Sequence, residues 1–219
     1  MHSFTVPLAG EELHVLQSGA LWWPDRRILA VSDLHLEKGS SYAAAGVLLP
    51  PYDSVATINR LAALIERMQP KCVVAMGDNF HDSGGDERLD PQAAHSLRAL
   101  QSGRDWVWLA GNHDPDAQTA LYDNAVDEWA EGPLVFRHEP RSGAAGEIAG
   151  HLHPKIRVKT RARTVSCRCF VTDGQRILMP AFGALTGGLD VRDPAIRGLF
   201  GKKAIGLAMG PSRVHPLAV

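Results

Sequence analysis

The sequence predicts an α/β sandwich in which two mixed β-sheets pack face to face and helices lie outside them. In residues 27–110, three apolar strands alternate with two helical patterns, which requires right-handed crossovers and parallel pairing. After about Val126 the pattern changes to strands and tight turns with little helix. Each of the three apolar strands also ends in a polar cluster. The 219 residues, 45% of them hydrophobic, suit one globular domain over 1–219.

The first elements alternate between short strands and a long helix. Strands are predicted at Glu12–Gln17, Ala20–Trp23 and Arg27–Val31, joined by turns at Ser18-Gly19 and Pro24-Asp25. A helix capped by Asp53 should follow and end at Pro70, because apolar side chains recur at helical spacing. Those side chains are Val55, Ile58, Leu61, Ala62, Ile65 and Met68.

The next elements repeat this alternation. Lys71–Met76 is a continuous apolar strand, and Asp90-Pro91 begins a helix that runs to Gly103. Asp105–Ala110 is the third buried strand. A short helix is expected near Asp193–Leu199.

The composition argues against a membrane-spanning, secreted or disulfide-rich protein. There is no apolar run long enough to span a bilayer and no secretory signal at the start, so a cytoplasmic protein is expected. Three cysteines do not make a disulfide framework. The net charge is −1, but residues 154–176 hold seven Lys or Arg and one Asp, a net of +6, which leaves −7 elsewhere. That asymmetry favours a role for the basic segment.

Polar clusters follow the three buried strands: SDLH, GDNFHD and GNHD. Ligands bind beyond the carboxyl ends of strands in α/β sheets, so these clusters should meet in one crevice. Asp33 and His35, two residues apart on an extended chain, should point the same way. Each motif alone is more often a solvated turn or strand, but together they predict a metal site. The candidate ligands are Asp33, His35, Asp78, Asn112, His138, His151 and His153.

This donor set is too large for one ion. Carboxylate, imidazole and amide groups suit borderline divalent metals such as Mn, Fe, Zn, Ni or Co. Two ions sharing a carboxylate would use all seven groups. Two cations lower the pKa of a shared water, so that hydroxide can attack phosphorus at neutral pH, and they offset charge in the transition state.

The ordered motifs D-x-H, G-D-x-x-H, G-N-H-D, a lone His and G-H-x-H resemble the calcineurin-like metallophosphoesterase superfamily. The resemblance implies that Asp78 bridges the two metals. It also implies that His113 is the catalytic acid or transition-state stabiliser and that Asp114 orients it. By the same resemblance, Asp33, His35 and His153 hold the first metal, and Asn112, His138 and His151 hold the second.

The C-terminal third of the chain indicates a particular family within this superfamily. RILMPAFGALTGGLDV, following GHLHP and a basic strand, is similar to the bacterial ligase-associated DNA damage response endonucleases. That family implies a Mn-dependent phosphodiesterase that acts on DNA in repair, with a DNA ligase and a helicase as functional associates. GDNFH followed by GNHD is similar to the repair nucleases, which implies that His81 acts near the scissile phosphate. The alternative is that His81 bonds Asp82 or backbone.

A basic row begins two residues after His153. In HPKIRVKTRAR every second residue from 155 to 163 is Lys or Arg, so an extended strand would carry five charges on one face. Such a row can follow a phosphate backbone, and single-stranded or accessible DNA is the expected partner. The alternative is a soluble edge strand, or a row split by a turn near Thr160. The proposed phosphate contacts are Lys155, Arg157, Lys159 and Arg161.

Two other functions stay open at this point. A nucleotide or lipid-linked pyrophosphate hydrolase of the same superfamily would share the metal ligands. A lipid substrate should require an apolar cap, whereas Asp82–Asp90 is polar. A non-catalytic binding module could use the same fold, although such modules can lose ligands that this chain keeps.

Overall fold

Apolar strands in the first half of the chain form one six-stranded sheet. The structure is a computed structural model that describes residues 2–114, 121, 124–159, 163–201 and 203–219. The strands lie in sequence order, antiparallel from β1 to β4 and parallel from β4 to β6. Their bounds are β1 Ser3–Leu8, β2 Glu11–Leu16, β3 Leu21–Trp23, β4 Ile28–Val31, β5 Cys72–Met76 and β6 Asp105–Leu109.

Helices connect the parallel strands. The helix bounds are α1 Lys38–Ala44, α2 Asp53–Met68, α3 Gly85–Arg88 and α4 Pro91–Gln101. At α4 the predicted cap is present, since the Asp90 carboxylate accepts from the N–H groups of Gln92 and Ala93. The predicted cap of α2 is wrong. Tyr52 occupies the cap position, and Asp53 accepts from the N–H of Gly39 at 3.1 Å, which ties α2 to the unpredicted helix α1.

The second half of the chain forms an eight-stranded mixed sheet. Its order is β14-β13-β11-β12-β9-β8-β7, with β10 paired to β11, and β8, β9 and β12 are parallel neighbours. The strands are β7 Glu128–Glu131, β8 Leu134–Arg137, β9 Glu147–Ala149, β10 Lys155–Lys159, β11 Thr164–Thr172, β12 Arg176–Leu178, β13 Ile205–Met209 and β14 Val214–Ala218. The short helix α5, Pro194–Arg197, lies where it was predicted.

The two sheets pack through side chains that alternate along the strands. In β5, Val74 and Met76 join an apolar cluster with Phe136 and Phe170 of the second sheet. Val73 and Ala75 point the other way, into the cluster that α2 and α4 cover. The predicted sandwich of two packed mixed sheets flanked by helices is therefore confirmed. No helix in the described ranges combines the length and apolar character needed to cross a bilayer.

Candidate metal centre

The polar clusters after β4, β5 and β6 meet two further clusters, after β8 and β9, at one edge of the sandwich. The backbone amide of His151 lies 3.1 Å from an oxygen of Asp33, which joins the two sheets there. The amide of His35 donates to the carbonyl oxygen of Asp78 at 2.9 Å. The edge therefore gathers the candidate ligands from segments more than 100 residues apart.

The backbone at these ligands is left-handed, not extended. Asp33 and His35 have φ of 53° and 43°, and Asp78 has 46°. The prediction that Asp33 and His35 lie on an extended chain is wrong, because β4 ends at Val31 and both residues adopt left-handed φ. His151 and His153 also have positive φ, at 71° and 45°. Such conformations are costly in non-glycine residues and concentrate at functional sites.

One group of donors contains two carboxylates and two imidazoles. His153 Nε2 lies 3.1 Å from Asp33 Oδ1, and His35 Nε2 lies 3.7 Å from Asp78 Oδ2. The two Nε2 atoms are 3.4 Å apart, so both rings aim at the same space. All four side chains can place a ligand atom within 4.8 Å of one another. This arrangement fits one divalent cation.

A second group lies on the other side of Asp78. His138 Nε2 is 3.3 Å from Asp78 Oδ1, 3.0 Å from Asn112 Oδ1 and 3.2 Å from His151 Nδ1. Asp78 thus faces the first group with Oδ2 and the second with Oδ1. A carboxylate shared in this way is what a pair of metal ions needs.

Burial and charge set the protonation of these donors. Burial opposes ionisation of Asp33 and Asp78, but hydrogen bonds and nearby histidine charge lower the pKa of each carboxyl. Burial lowers the pKa of His35 to about 3. At neutral pH the group therefore offers two anionic carboxylates and a neutral imidazole, which is the form that binds metal. Burial also opposes the charge of His138, but Asp78 and Asp33 raise its pKa to about 9.

Glycine at three motif positions lets neighbouring site residues pack directly against the backbone. A Cβ on Gly111 would lie 2.0 Å from the amide nitrogen of Asp78. A Cβ on Gly150 would lie 1.9 Å from the hydroxyl of Ser32, which donates to Asp33. Gly77, at φ of +78°, has the His138 ring at 2.5 Å from its Cβ position. Only glycine fits at these points, which explains G-D, G-N-H-D and G-H-x-H physically.

His81 and His113 lie beside the first donor group. Their rings stack with centroids 5.0 Å apart, and His81 Nδ1 lies 3.3 Å from His35 Nδ1. The backbone amide of His113 donates to Asp78 Oδ1 at 2.9 Å, while 40% of its side chain is exposed. His113 can therefore reach a substrate that sits at the donors.

Asp114 contacts the loops of the site and not the ring of His113. Its buried carboxylate accepts from the amides of Asn79, Phe80 and Gly111 at 2.8–3.2 Å. The ring nitrogen Nδ1 of His113 instead donates to the carbonyl oxygen of His81 at 2.9 Å. Asp114 thus fixes the loops on either side of the site, and its orienting role toward His113, which the resemblance implies, stays a prediction.

Helix α1 brings residues that sequence reasoning missed. The Lys38 ammonium lies 5.9 Å from the Tyr42 ring, and the Tyr42 ring lies 5.8 Å from the His81 ring. Burial lowers the pKa of Lys38, which is half-buried. Lys38 lies three residues after His35, so its place in the sequence already indicated that it is near the site. Helix α1, which begins at Lys38, was not predicted.

The basic row lies on strand β10. Ile156 and Val158 contact the apolar cluster on the outer side of the second sheet, so Lys155, Arg157 and Lys159 share the opposite face. Arg157 and Lys159 are exposed, and Arg157 Nε pairs with a carboxylate oxygen of Asp190 at 3.3 Å. Arg161 and the suspected turn at Thr160 lie outside the described residues.

Comparison with known proteins agrees with this geometry. The family model of the calcineurin-like phosphoesterases matches residues 26–168. The crystal structure of the nuclease MPE of Pseudomonas putida aligns with a TM-score of 0.76 at 28% identity, over 99% of this chain and 100% of that chain. No curated protein matches the chain. The family model covers more than half of the sequence, and the chain belongs to the calcineurin-like phosphoesterases, metal-dependent hydrolases with a dinuclear site.

Proposed function

We propose that this protein is a manganese-dependent phosphodiesterase that cuts DNA internally at single-stranded or accessible sites, in DNA repair. The observation that carries the proposal is the pair of donor groups joined by Asp78, with a basic strand two residues beyond His153. The Pseudomonas putida protein that this chain resembles is named a nuclease. A cytoplasmic location and functional association with a DNA ligase and a helicase complete the proposal and rest on the family resemblance.

The donor groups suggest how the ligands divide. Asp33, His35 and His153 would hold one ion, with Asp78 shared. Asn112, His138 and His151 would hold the other. When bound, the two ions would acidify water and offset the charge on the phosphate oxygens.

The chain's own residues would then orient and protonate the substrate. His113 is exposed, and its Nε2 lies 4.0 Å from Asp78 Oδ2, so this nitrogen could contact a phosphoryl oxygen or give a proton to the departing alkoxide. Its Nδ1 is held by the His81 carbonyl, which leaves Nε2 as the nitrogen that faces substrate. The His81 ring, stacked on His113 and next to His35, can contact the same phosphate.

The basic row supports DNA as the substrate. Lys155, Arg157 and Lys159 project from one face of β10, which begins immediately after the ligand segment. A row of cations at two-residue spacing can neutralise successive phosphates of a strand. This contact is independent of base sequence, as expected for a nuclease that reads structure.

The main test is a matrix of metals against substrates. Purified protein with Mn²⁺ should convert circular single-stranded DNA to linear fragments, and elemental analysis of the same sample should give two metals per chain. Vigorous hydrolysis of nucleotide pyrophosphates with intact DNA would contradict the proposal. A protein that holds no metal and hydrolyses neither would indicate a binding module.

A charge-removal variant tests the DNA contact. Joint replacement of Lys155, Arg157 and Lys159 by Met should weaken single-stranded DNA binding and reduce its salt slope by about 2. Hydrolysis of bis-p-nitrophenyl phosphate should not change. The matched control also removes three positive charges, by replacing the exposed Arg67, Lys71 and Arg98 with Met. Equal slowing of the small diester would mean that the row is structural.

A further inference from the structure

Two arginines that are not candidate metal ligands contact a short segment, residues 181–183, that is bonded to Ser32 and Asp33. The Arg60 guanidinium sits 4.2 Å from the centroid of the buried Phe182 ring. Arg168 Nη1 donates to the carbonyl oxygen of Ala181 at 3.0 Å. Both guanidinium groups therefore contact neighbouring residues of one short segment.

That segment is attached to the metal centre. The amide of Phe182 donates to the carbonyl oxygen of Ser32 at 2.7 Å, and the amide of Gly183 donates to that of Asp33 at 3.0 Å. Arg168 is also the register partner of Lys155, two residues after His153. Arg168 thus lies on the strand that pairs with the basic row and contacts the segment that is bonded to Asp33, and Arg60 contacts the same segment.

Their charges are unusual because the protein does not compensate them. Arg60 Nε and Nη2 are buried without a hydrogen-bond partner. Within the part of the chain that the structure describes, neither Arg60 nor Arg168 forms an ion pair with a carboxylate. Burial and nearby Arg168 lower the pKa of Arg60 to about 10, and burial lowers the pKa of Arg168. Both groups stay protonated at neutral pH.

An uncompensated pair of half-buried guanidinium groups is costly unless an anion completes it. Unsatisfied buried donors are rare in folded proteins, and partly buried like charges repel. A planar guanidinium matches the oxygens of a phosphate and can bind them in a bidentate way. Arg60 also lies one turn after Thr57, whose hydroxyl accepts from the amide of Ala184, so α2 is bonded to this segment next to Arg60.

We propose that Arg60 and Arg168 form a second anion site that binds a phosphate of the substrate strand next to the phosphate that is cut. This inference rests on the proposed function, since it requires a substrate with more than one phosphodiester. It gives the basic row a continuous connection to the metal centre. The site would favour strands over small isolated diesters.

The test compares the double variant Arg60→Met, Arg168→Met with the double variant Arg67→Met, Arg98→Met, which also removes two positive charges, but from exposed positions on α2 and α4. Loss of the site should lower kcat/KM for an oligonucleotide by about 10-fold or more. Hydrolysis of bis-p-nitrophenyl phosphate, which has a single phosphate, should stay within about twofold of wild type. The thermal midpoint should stay unchanged or rise, because an uncompensated charge is removed from beside Phe182.

Three results would overturn the inference while the proposed function stands. Equal losses on both substrates with a lower thermal midpoint would show a structural role, and an unchanged oligonucleotide rate would show that no phosphate binds there. Inorganic phosphate that inhibits small-diester hydrolysis in wild type but not in the double variant would assign the site to the free ion. Wild-type protein that hydrolyses only the small diester would instead refute the proposed function, and this site with it.

Discussion

Raising the pH should tighten manganese binding, because one ligand is protonated in the metal-free protein. Burial opposes the charge of His138, but Asp78 and Asp33 raise its pKa to about 9. A metal ion needs the neutral ring, so binding of the ion that His138 would hold must release that proton at neutral pH. Burial lowers the pKa of His35 and of His151, so these rings are neutral already and add no such dependence.

The size of the effect follows from that pKa. Below it, affinity should rise about tenfold per pH unit, which gives about 30-fold between roughly pH 7 and pH 8.5. Calorimetric titration with Mn²⁺ in buffers of different ionisation enthalpy should also show about one proton released per chain, when the site that contains His138 is filled.

A variant isolates the contribution of His138. His138→Asn keeps an amide oxygen as donor but carries no proton, so its affinity should be weaker and nearly independent of pH over that range. Equal pH dependence in the variant and in wild type would refute the reasoning. An affinity that changes less than about threefold in wild type would refute it too.

Three further predictions follow from the geometry. Asp78→Ala should abolish metal occupancy and turnover together, since both donor groups use Asp78. His113→Ala should keep both metals, as measured by elemental analysis, and should lose about 10²-fold or more in kcat. Gly111→Ala should lower the thermal midpoint and metal affinity because its Cβ would meet the Asp78 amide at 2.0 Å; Gly187→Ala, with no atom within 4 Å, should do neither. In the metal-free protein the pKa of His138 is higher in the folded state than its unfolded value of about 6.5, so protonation of His138 stabilises the fold. This stabilisation is complete below about pH 6.5, and denaturant titrations should show it fading as the pH rises toward 9.

The sequence predicted the strands and the edge of the site because both depend on local pattern. Continuous apolar runs end where β4, β5 and β6 end, and polar clusters follow each of them. The parallel order follows from helices between strands, which leaves few other ways to connect them. The family resemblance was confirmed by the match over residues 26–168.

The residues that were missed depend on contacts between distant segments. Helix α1 is held by α2, through Ser54 bonding Glu37 and Asp53 bonding Gly39, and nothing local to α1 predicts that pairing. Arg60 reads as an ordinary polar residue of α2 until Phe182, over 100 residues later, is placed beneath it. Sequence spacing shows which residue types can bind, but it cannot show which remote segments bring them together.

The left-handed ligand turns explain why the surrounding contacts are so numerous. Five ligand residues adopt positive φ, each at a cost of roughly 1 kcal/mol or more. That cost is offset by fixed hydrogen bonds: Asp114 accepts three loop amides, and Asp33 accepts the amide of His151. Four of these left-handed residues also converge, since Asp33, His35, Asp78 and His153 can each place a ligand atom within 4.8 Å of the others. The strained residues are therefore also the residues that bring the donor atoms together. A substitution that relaxed one of these left-handed residues would stabilise the backbone but would move a donor atom away from the others.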